Sequence, residues 1–200
     1  ALYQRACEQD HATACSRLGI LAAQGRGAPR DEARAAQLFE RACRLGEADG
    51  CFNLGVLCFD GAGLPRDAAR AFTLFQQACD AGKAVACVNV GTAYDDGEGV
   101  ASDPAQAFAH FKRACEGDVA AGCYNLGYLY ARGRGIAVAQ DLAARAYARA
   151  CELGSGEGCH ELGERARTGN GREQSEAEAR RLFARGCELG DATACAKAKP

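Results

Sequence analysis

The chain contains no methionine and only three histidines in 200 residues. It also begins inside a recurring pattern, so it reads as a processed or trimmed piece, and the absence of a leader carries no information about secretion. His11, His110 and His160 share no spacing and complete no ligand set, so no metal site is assigned. No apolar run approaches the roughly 20 residues that a membrane-spanning helix needs, and membrane insertion is not expected. Lys and Arg (24) nearly balance Asp and Glu (26), for a net charge of −2. The basic residues form no block, which argues against nucleic acid as a partner and against a polybasic membrane anchor.

Catalytic signatures are absent as well. None of Ser16, Ser102, Ser155 or Ser175 has a lysine three positions on, so the S-x-x-K pattern of serine β-lactam enzymes is missing. The glycine-rich stretches follow no predicted strand and precede no Gly-Lys-Ser/Thr, so they are not phosphate loops. No nucleophile, base and orienting group come together through the repeat geometry. The chain is therefore expected not to be an enzyme, with no catalytic residue and no cofactor.

What the chain has in excess is cysteine, 13 in all. One set falls at Cys7, Cys43, Cys79, Cys115, Cys151 and Cys187, a second at Cys15, Cys51, Cys87, Cys123, Cys159 and Cys195. Each pair is eight residues apart and each copy lies 36 residues from the last. A fixed period of that length marks a solenoid of repeats, in which each unit packs on its neighbours around one continuous core. The expected organisation is a single repeat domain over residues 1–200. It comprises a partial repeat at 1–10, copies at 11–46, 47–82, 83–118, 119–154 and 155–190, and a partial repeat at 191–200 that stops at Pro200.

Each copy reads as helix, glycine loop, helix. In the second copy Cys51, Leu54 and Cys58 recur at i, i+3, i+7, one face of a helix over about Ala48 to Asp60. Gly61-Ala62-Gly63 follows, with counterparts at Gly25/Gly27, Gly97/Gly99, Gly133/Gly135 and Gly169/Gly171. Glycine just past a helix supplies the left-handed backbone that ends it. Asp31, Asp67, Asp103 and Ser175 then occupy one phase as N-caps. Ala139 stands there in the fourth copy, so its second helix is expected to start later, near Asp141. The second helices carry an Ala, aromatic, Ala, Cys stripe such as Ala71, Phe75, Ala78 and Cys79, which marks the core face. Mid-helix Gly19, Gly55, Gly91, Gly127 and Gly163 cost up to about 1 kcal/mol each relative to Ala. Their recurrence at one phase predicts close helix crossings where no side chain fits.

The cysteine pairs flank the turn between one copy's second helix and the next copy's first. Dense, regular cysteines suggest disulfides in an oxidising compartment. Zinc would need four ligands, usually from C-x2-C pairs, whereas these pairs lie one per repeat, about 10 Å from the next if helices pack at their usual separation. Reduced thiols buried as small hydrophobes remain the alternative. Cys58 is the thirteenth cysteine and is left unpaired, read as a buried free thiol.

The combination of Gly50-Cys51-Phe52-Asn53-Leu54-Gly55 and Gly122-Cys123-Tyr124-Asn125-Leu126-Gly127 with the G-x-G loop and Ala-x-x-x-Phe-x-x-Ala-Cys resembles the Sel-one-like repeat family, relatives of tetratricopeptide repeats. The added C-x7-C is similar to the Helicobacter cysteine-rich branch, whose repeats carry one disulfide each. The resemblance implies an all-α solenoid, a right-handed superhelix of helix pairs with first helices lining a concave face. It implies disulfides Cys7–Cys15, Cys43–Cys51, Cys79–Cys87, Cys115–Cys123, Cys151–Cys159 and Cys187–Cys195. It further implies a secreted or periplasmic location. The alternative the same resemblance implies is a β-lactam-binding protein or weak β-lactamase, an assignment several members of that branch carry. A second is an assembly factor of the mitochondrial intermembrane space, where cysteine-dense eukaryotic relatives work, and both rest on analogy alone.

One face of the first helices suggests a binding surface. It holds Asn53, Val56 and Asp60 in the second copy, Asn89, Thr92 and Asp96 in the third, and Asn125, Tyr128 and Arg132 in the fourth. Three asparagines at one phase would line the concave groove and pair with an extended peptide backbone, since an amide both donates and accepts. Arg17 and Glu161 break the series at either end. The competing reading is that these amides only bond neighbouring helices or turns. The expected partner is a protein or peptide, bound by a monomer.

Overall fold

The computed structural model describes residues 2–198, and Pro200, the expected stop, lies outside them. Among the described residues all regular structure is helical. The chain divides into two compact units, Ala1–Ser102 and Asp103–Pro200. The first holds α1 (Leu2–Glu8), α2 (Ala12–Gln24), α3 (Glu32–Arg44), α4 (Ala48–Asp60), α5 (Ala68–Asp80) and α6 (Ala84–Asp96). The second holds α7 (Pro104–Glu116), α8 (Ala120–Arg132), α9 (Gln140–Glu152), α10 (Gly156–Thr168), α11 (Glu176–Glu188) and α12 (Ala192–Ala198). Within each unit helix pairs recur every 36 residues, the all-α solenoid repeat that the sequence period requires.

The helix ends follow from local chemistry. The long first helices stop where Gly25, Gly61, Gly97, Gly133 and Gly169 turn left-handed, with φ between 66° and 75°. At the start of the second helices the carboxylates of Asp31, Asp67 and Asp103 accept backbone N–H groups of Arg34, Arg70 and Gln106, and the Ser175 hydroxyl accepts that of Glu178. Such a cap contributes about 1 kcal/mol relative to Ala.

One boundary differs from the sequence reading. α9 begins at Gln140, in phase with its counterparts, although Ala139 offers no side-chain cap. The loop fixes the start instead. The Ala139 N–H donates to the Tyr130 carbonyl at 3.0 Å, as Asp31 does to Ala22, Asp67 to Cys58 and Ser175 to Ala166. Gln140 adds a bond from Nε2 to the Ala131 carbonyl.

The core is a small-against-large pattern. Ala35, Ala42, Ala71, Ala78, Ala143 and Ala150 are fully buried beside Phe39, Phe75 and Tyr147. Each ring lies against a mid-helix glycine. A Cβ on Gly19, Gly55, Gly127 or Gly163 would come within 2.6–2.9 Å of Phe39, Phe75, Tyr147 or Phe183. Alanine at these sites would force the ring out of place, an overpacking cost of about 1–3 kcal/mol.

Disulfides close all six corners, Cys7–Cys15, Cys43–Cys51, Cys79–Cys87, Cys115–Cys123, Cys151–Cys159 and Cys187–Cys195, each at a sequence separation of 8. A loop that short removes about 2–3 kcal/mol of unfolded-chain entropy per bridge. At four corners a left-handed glycine makes the turn: Gly46, Gly82, Gly154 and Gly190. Asp10 and Asp118 take that conformation in the other two, with φ of 61° and 59°. Left-handed backbone costs a side-chain-bearing residue about 1 kcal/mol or more. Each aspartate gains a partner in return, because Arg41 and Arg149, both 31 residues on, donate to Asp10 and Asp118 at 2.8 and 2.6 Å.

Candidate functional site

In the first unit Asn53 projects from α4 and Asn89 from α6, one repeat apart and both half-buried. Neither amide takes a side-chain hydrogen bond among the described residues. Asp60 and Asp96 are exposed and form the last residue of α4 and α6. Carboxylates there oppose the helix dipole, which favours cations at a C-terminus by about 0.3–1 kcal/mol.

Asn89 and Asp96 both line a cavity of about 210 Å³ formed by α4, α5 and α6. Phe59, Phe72, Phe75 and Val88 supply its apolar lining, and Thr92 and Glu98 complete the polar rim. Phe72 is held edge-on against Tyr94, ring centroids 5.2 Å apart. Phe59 is 38% exposed. The Arg66 guanidinium lies 5.3 Å above its ring and pairs with Glu98. Asn53 and Asp60 lie outside this cavity. Larger depressions beside the Cys43–Cys51 bridge, beside Arg26–Arg34 and beside Ala33–Gln37 contain none of the asparagines. Phe59, Phe72 and the cavity itself were not predicted from sequence. An aromatic at the solvent end of a first helix, Phe59, is the visible signal.

In the second unit Asn125 is half-buried on α8 and likewise takes no side-chain hydrogen bond among the described residues. Tyr128 is 37% exposed, with the Arg132 guanidinium 5.6 Å over its ring. One copy further, Glu161 takes the asparagine phase on α10. Arg165 follows it, 7% exposed and 4.8 Å over the Tyr147 ring. Burial pushes the Tyr147 and Tyr124 hydroxyls up in pKa, and the Glu161 charge adds to both shifts. These phenols stay neutral at physiological pH.

Cys58 is fully buried and is the free cysteine among the described residues. Burial raises its thiol pKa, and the charge of Arg70 only partly offsets that. A protonated, enclosed thiol is a poor nucleophile. The serines have structural places. Ser16 is buried. The Ser102 hydroxyl donates to the Asp95 carbonyl, and Ser155 and Ser175 cap α10 and α11.

Consecutive stretches of the chain match the Sel1 repeat model, at residues 1–11, 12–47, 48–83, 84–119, 120–155 and 156–191. The chain belongs to the Sel1-repeat family. Solved structures agree. A protective antigen of uropathogenic Escherichia coli, c5321, superposes with a TM-score of 0.93 at 30% identity over 98% of this chain. This chain spans 42% of that antigen's length. A Sel1 repeat protein from Oxalobacter formigenes gives 0.89 at 23% identity, over 95% of this chain and 76% of its own. Helicobacter pylori cysteine-rich protein B gives 0.55 at 26% identity, over 66% of this chain and 95% of its own. No curated protein matches the sequence. The chain is thus a disulfide-bearing Sel1-repeat scaffold. Six bridges suggest folding in an oxidising compartment, and no helix among the described residues is long and apolar enough to cross a membrane.

Proposed function

We propose that this Sel1-repeat chain is a secreted or periplasmic scaffold that holds a protein or peptide in extended form along its first-helix face. The observation that carries the reading is the pair Asn53 and Asn89, half-buried one repeat apart without a side-chain partner among the described residues. Part-buried polar groups are normally paired within the protein or with water, and an unpaired amide offers a donor and an acceptor to a passing backbone. Asn125 offers the same group in the second unit. The apolar cavity beside Asn89 supplies a place for one partner side chain, and few-anchor recognition of that kind is usual where main-chain bonds give affinity and pockets give selectivity. Sel1-repeat proteins generally mediate protein interactions, in line with this reading.

The test is selection of displayed random peptides on the oxidised protein, followed by affinity measurement on an Asn53→Ala/Asn89→Ala variant. Losing two amide contacts should weaken selected peptides by about tenfold or more, with the urea midpoint unchanged. Unchanged affinity together with lower stability would assign the amides to the fold and defeat the reading.

A further inference from the structure

The cavity of the first unit exists because one side chain is short. Ala93 occupies a phase that recurs every 36 residues, and the other copies place Leu21, Leu57, Leu129 and Arg165 there. Leu129 is fully buried and Arg165 nearly so. The first unit therefore leaves open, at its third copy, a space the second unit fills with its own side chains.

The filling in the second unit shows what chemistry suits the space. Arg165 lies 72 residues beyond Ala93, and Tyr147 lies 72 beyond Phe75. The Arg165 guanidinium sits 4.8 Å over the Tyr147 ring and Nη2 reaches Gln140, the counterpart of Ala68, at 3.5 Å. An arginine stacked on an aromatic ring is thus the internal occupant of this site when the chain supplies one.

The first unit keeps the ring and strengthens both features that attract a guanidinium. Phe59 and Phe72 stand where the second unit has Ala131 and Ala144, so more aromatic surface faces the space. Asp96 and Glu98 stand where it has Thr168 and Asn170, so the rim is acidic. Arg66 already pairs with Glu98, while no ion pair among the described residues engages Asp96. A cation over an aromatic face in a partly desolvated site gains about 1–2 kcal/mol, and a nearby carboxylate adds a charge-assisted bond.

We propose that the cavity between α4, α5 and α6 takes an arginine side chain from the bound polypeptide, stacked on Phe75 and paired with Asp96, in the manner of Arg165 on Tyr147. This rests on the peptide-binding reading above and names the side chain that reading leaves open.

The test is an NMR titration of the ¹⁵N-labelled oxidised chain with capped Ala-Arg-Ala, Ala-Lys-Ala and Ala-Leu-Ala peptides. The arginine peptide should shift the Thr92 and Ala93 amides at about tenfold lower concentration than the leucine peptide. Ala93→Leu, a residue the fold accepts at this phase in three other copies, should abolish those shifts and leave the Asn53 side-chain response in place. Asp96→Asn should weaken the arginine peptide by about threefold, within the range of an exposed ion pair, and leave the leucine peptide unaffected. Equal or better response to leucine, or an arginine titration untouched by Ala93→Leu, overturns the proposal. If the Asn53 and Asn89 side chains respond to all three peptides while Thr92 and Ala93 stay silent, the arginine assignment fails and the groove reading survives. Silence at every one of these sites removes both.

Discussion

The same 36-residue phase is used in opposite ways by the two units. In the first, Ala93 leaves a cavity walled by Phe59, Phe72 and Phe75, with Asn89 and Asp96 also in its lining. In the second, Arg165 lies buried over Tyr147, with Glu161 and Thr168 at the matching positions. The helix bounds, the glycine loops and the corner disulfides are alike in both. A repeat fold can therefore hold its architecture constant while single positions decide whether a site is core or open surface. The charge of the face changes along the chain as well. The last residue of the first helix is Asp60 and Asp96 in the first unit, and Arg132 and Thr168 in the second.

The contrast can be broken most forcefully at Arg165. Its long stem and guanidinium are core material, so Arg165→Ala should destabilise the oxidised protein by about 2–3 kcal/mol, the range for a cavity made in a packed interior, read from urea unfolding. Ala93→Leu should change stability by less than about 1 kcal/mol, since it only restores the usual residue. A small loss at Arg165 and a large one at Ala93 would mean that the open site is the structural one.

A smaller effect separates the units by pH. Burial raises the pKa of Glu164, the counterpart of Thr92, but hydrogen bonds from Arg167 and Lys197 outweigh it and hold the carboxyl below its ordinary value. A folded pKa below the unfolded one gives stability that is complete above the ordinary carboxylate range, about pH 4.3, and is lost as pH falls through the lowered value. Lys197 belongs to α12, so the hydrogen-exchange protection of that helix, corrected for the intrinsic rate, should fall as the pH drops through the lowered Glu164 value. Glu164→Gln should remove that pH dependence. Exchange in α6, where Thr92 carries no charge, should show no matching change.

The sequence makes the repeat plan plain because its markers are periodic. Cysteine, glycine and alanine recur at fixed phase, and a fixed phase maps directly to one place on a helix. α4 spans Ala48–Asp60 as its periodicity implies. Ala139 misleads because side-chain capping does not set this helix start; the backbone bond from the Ala139 N–H to the Tyr130 carbonyl does. The left-handed Asp10 and Asp118 were not legible without knowing that Arg41 and Arg149 come to rest beside them. The cavity was hidden for a related reason. Phe59, Phe72 and Ala93 lie on three helices, and only packing brings them together. Its trace in the sequence is a departure from the repeat, alanine at a phase that is otherwise leucine or arginine.

The most direct measurement is an NMR map of where a peptide selected on the oxidised wild-type chain lies. Shifts should concentrate on the Asn53 and Asn89 side chains and on Thr92, Ala93 and Asp96, with the Glu161 and Arg165 region of α10 unchanged. Shifts gathered around Glu161 and Arg165, or a bound peptide that leaves both first-unit asparagines unmoved, would contradict binding along the first unit.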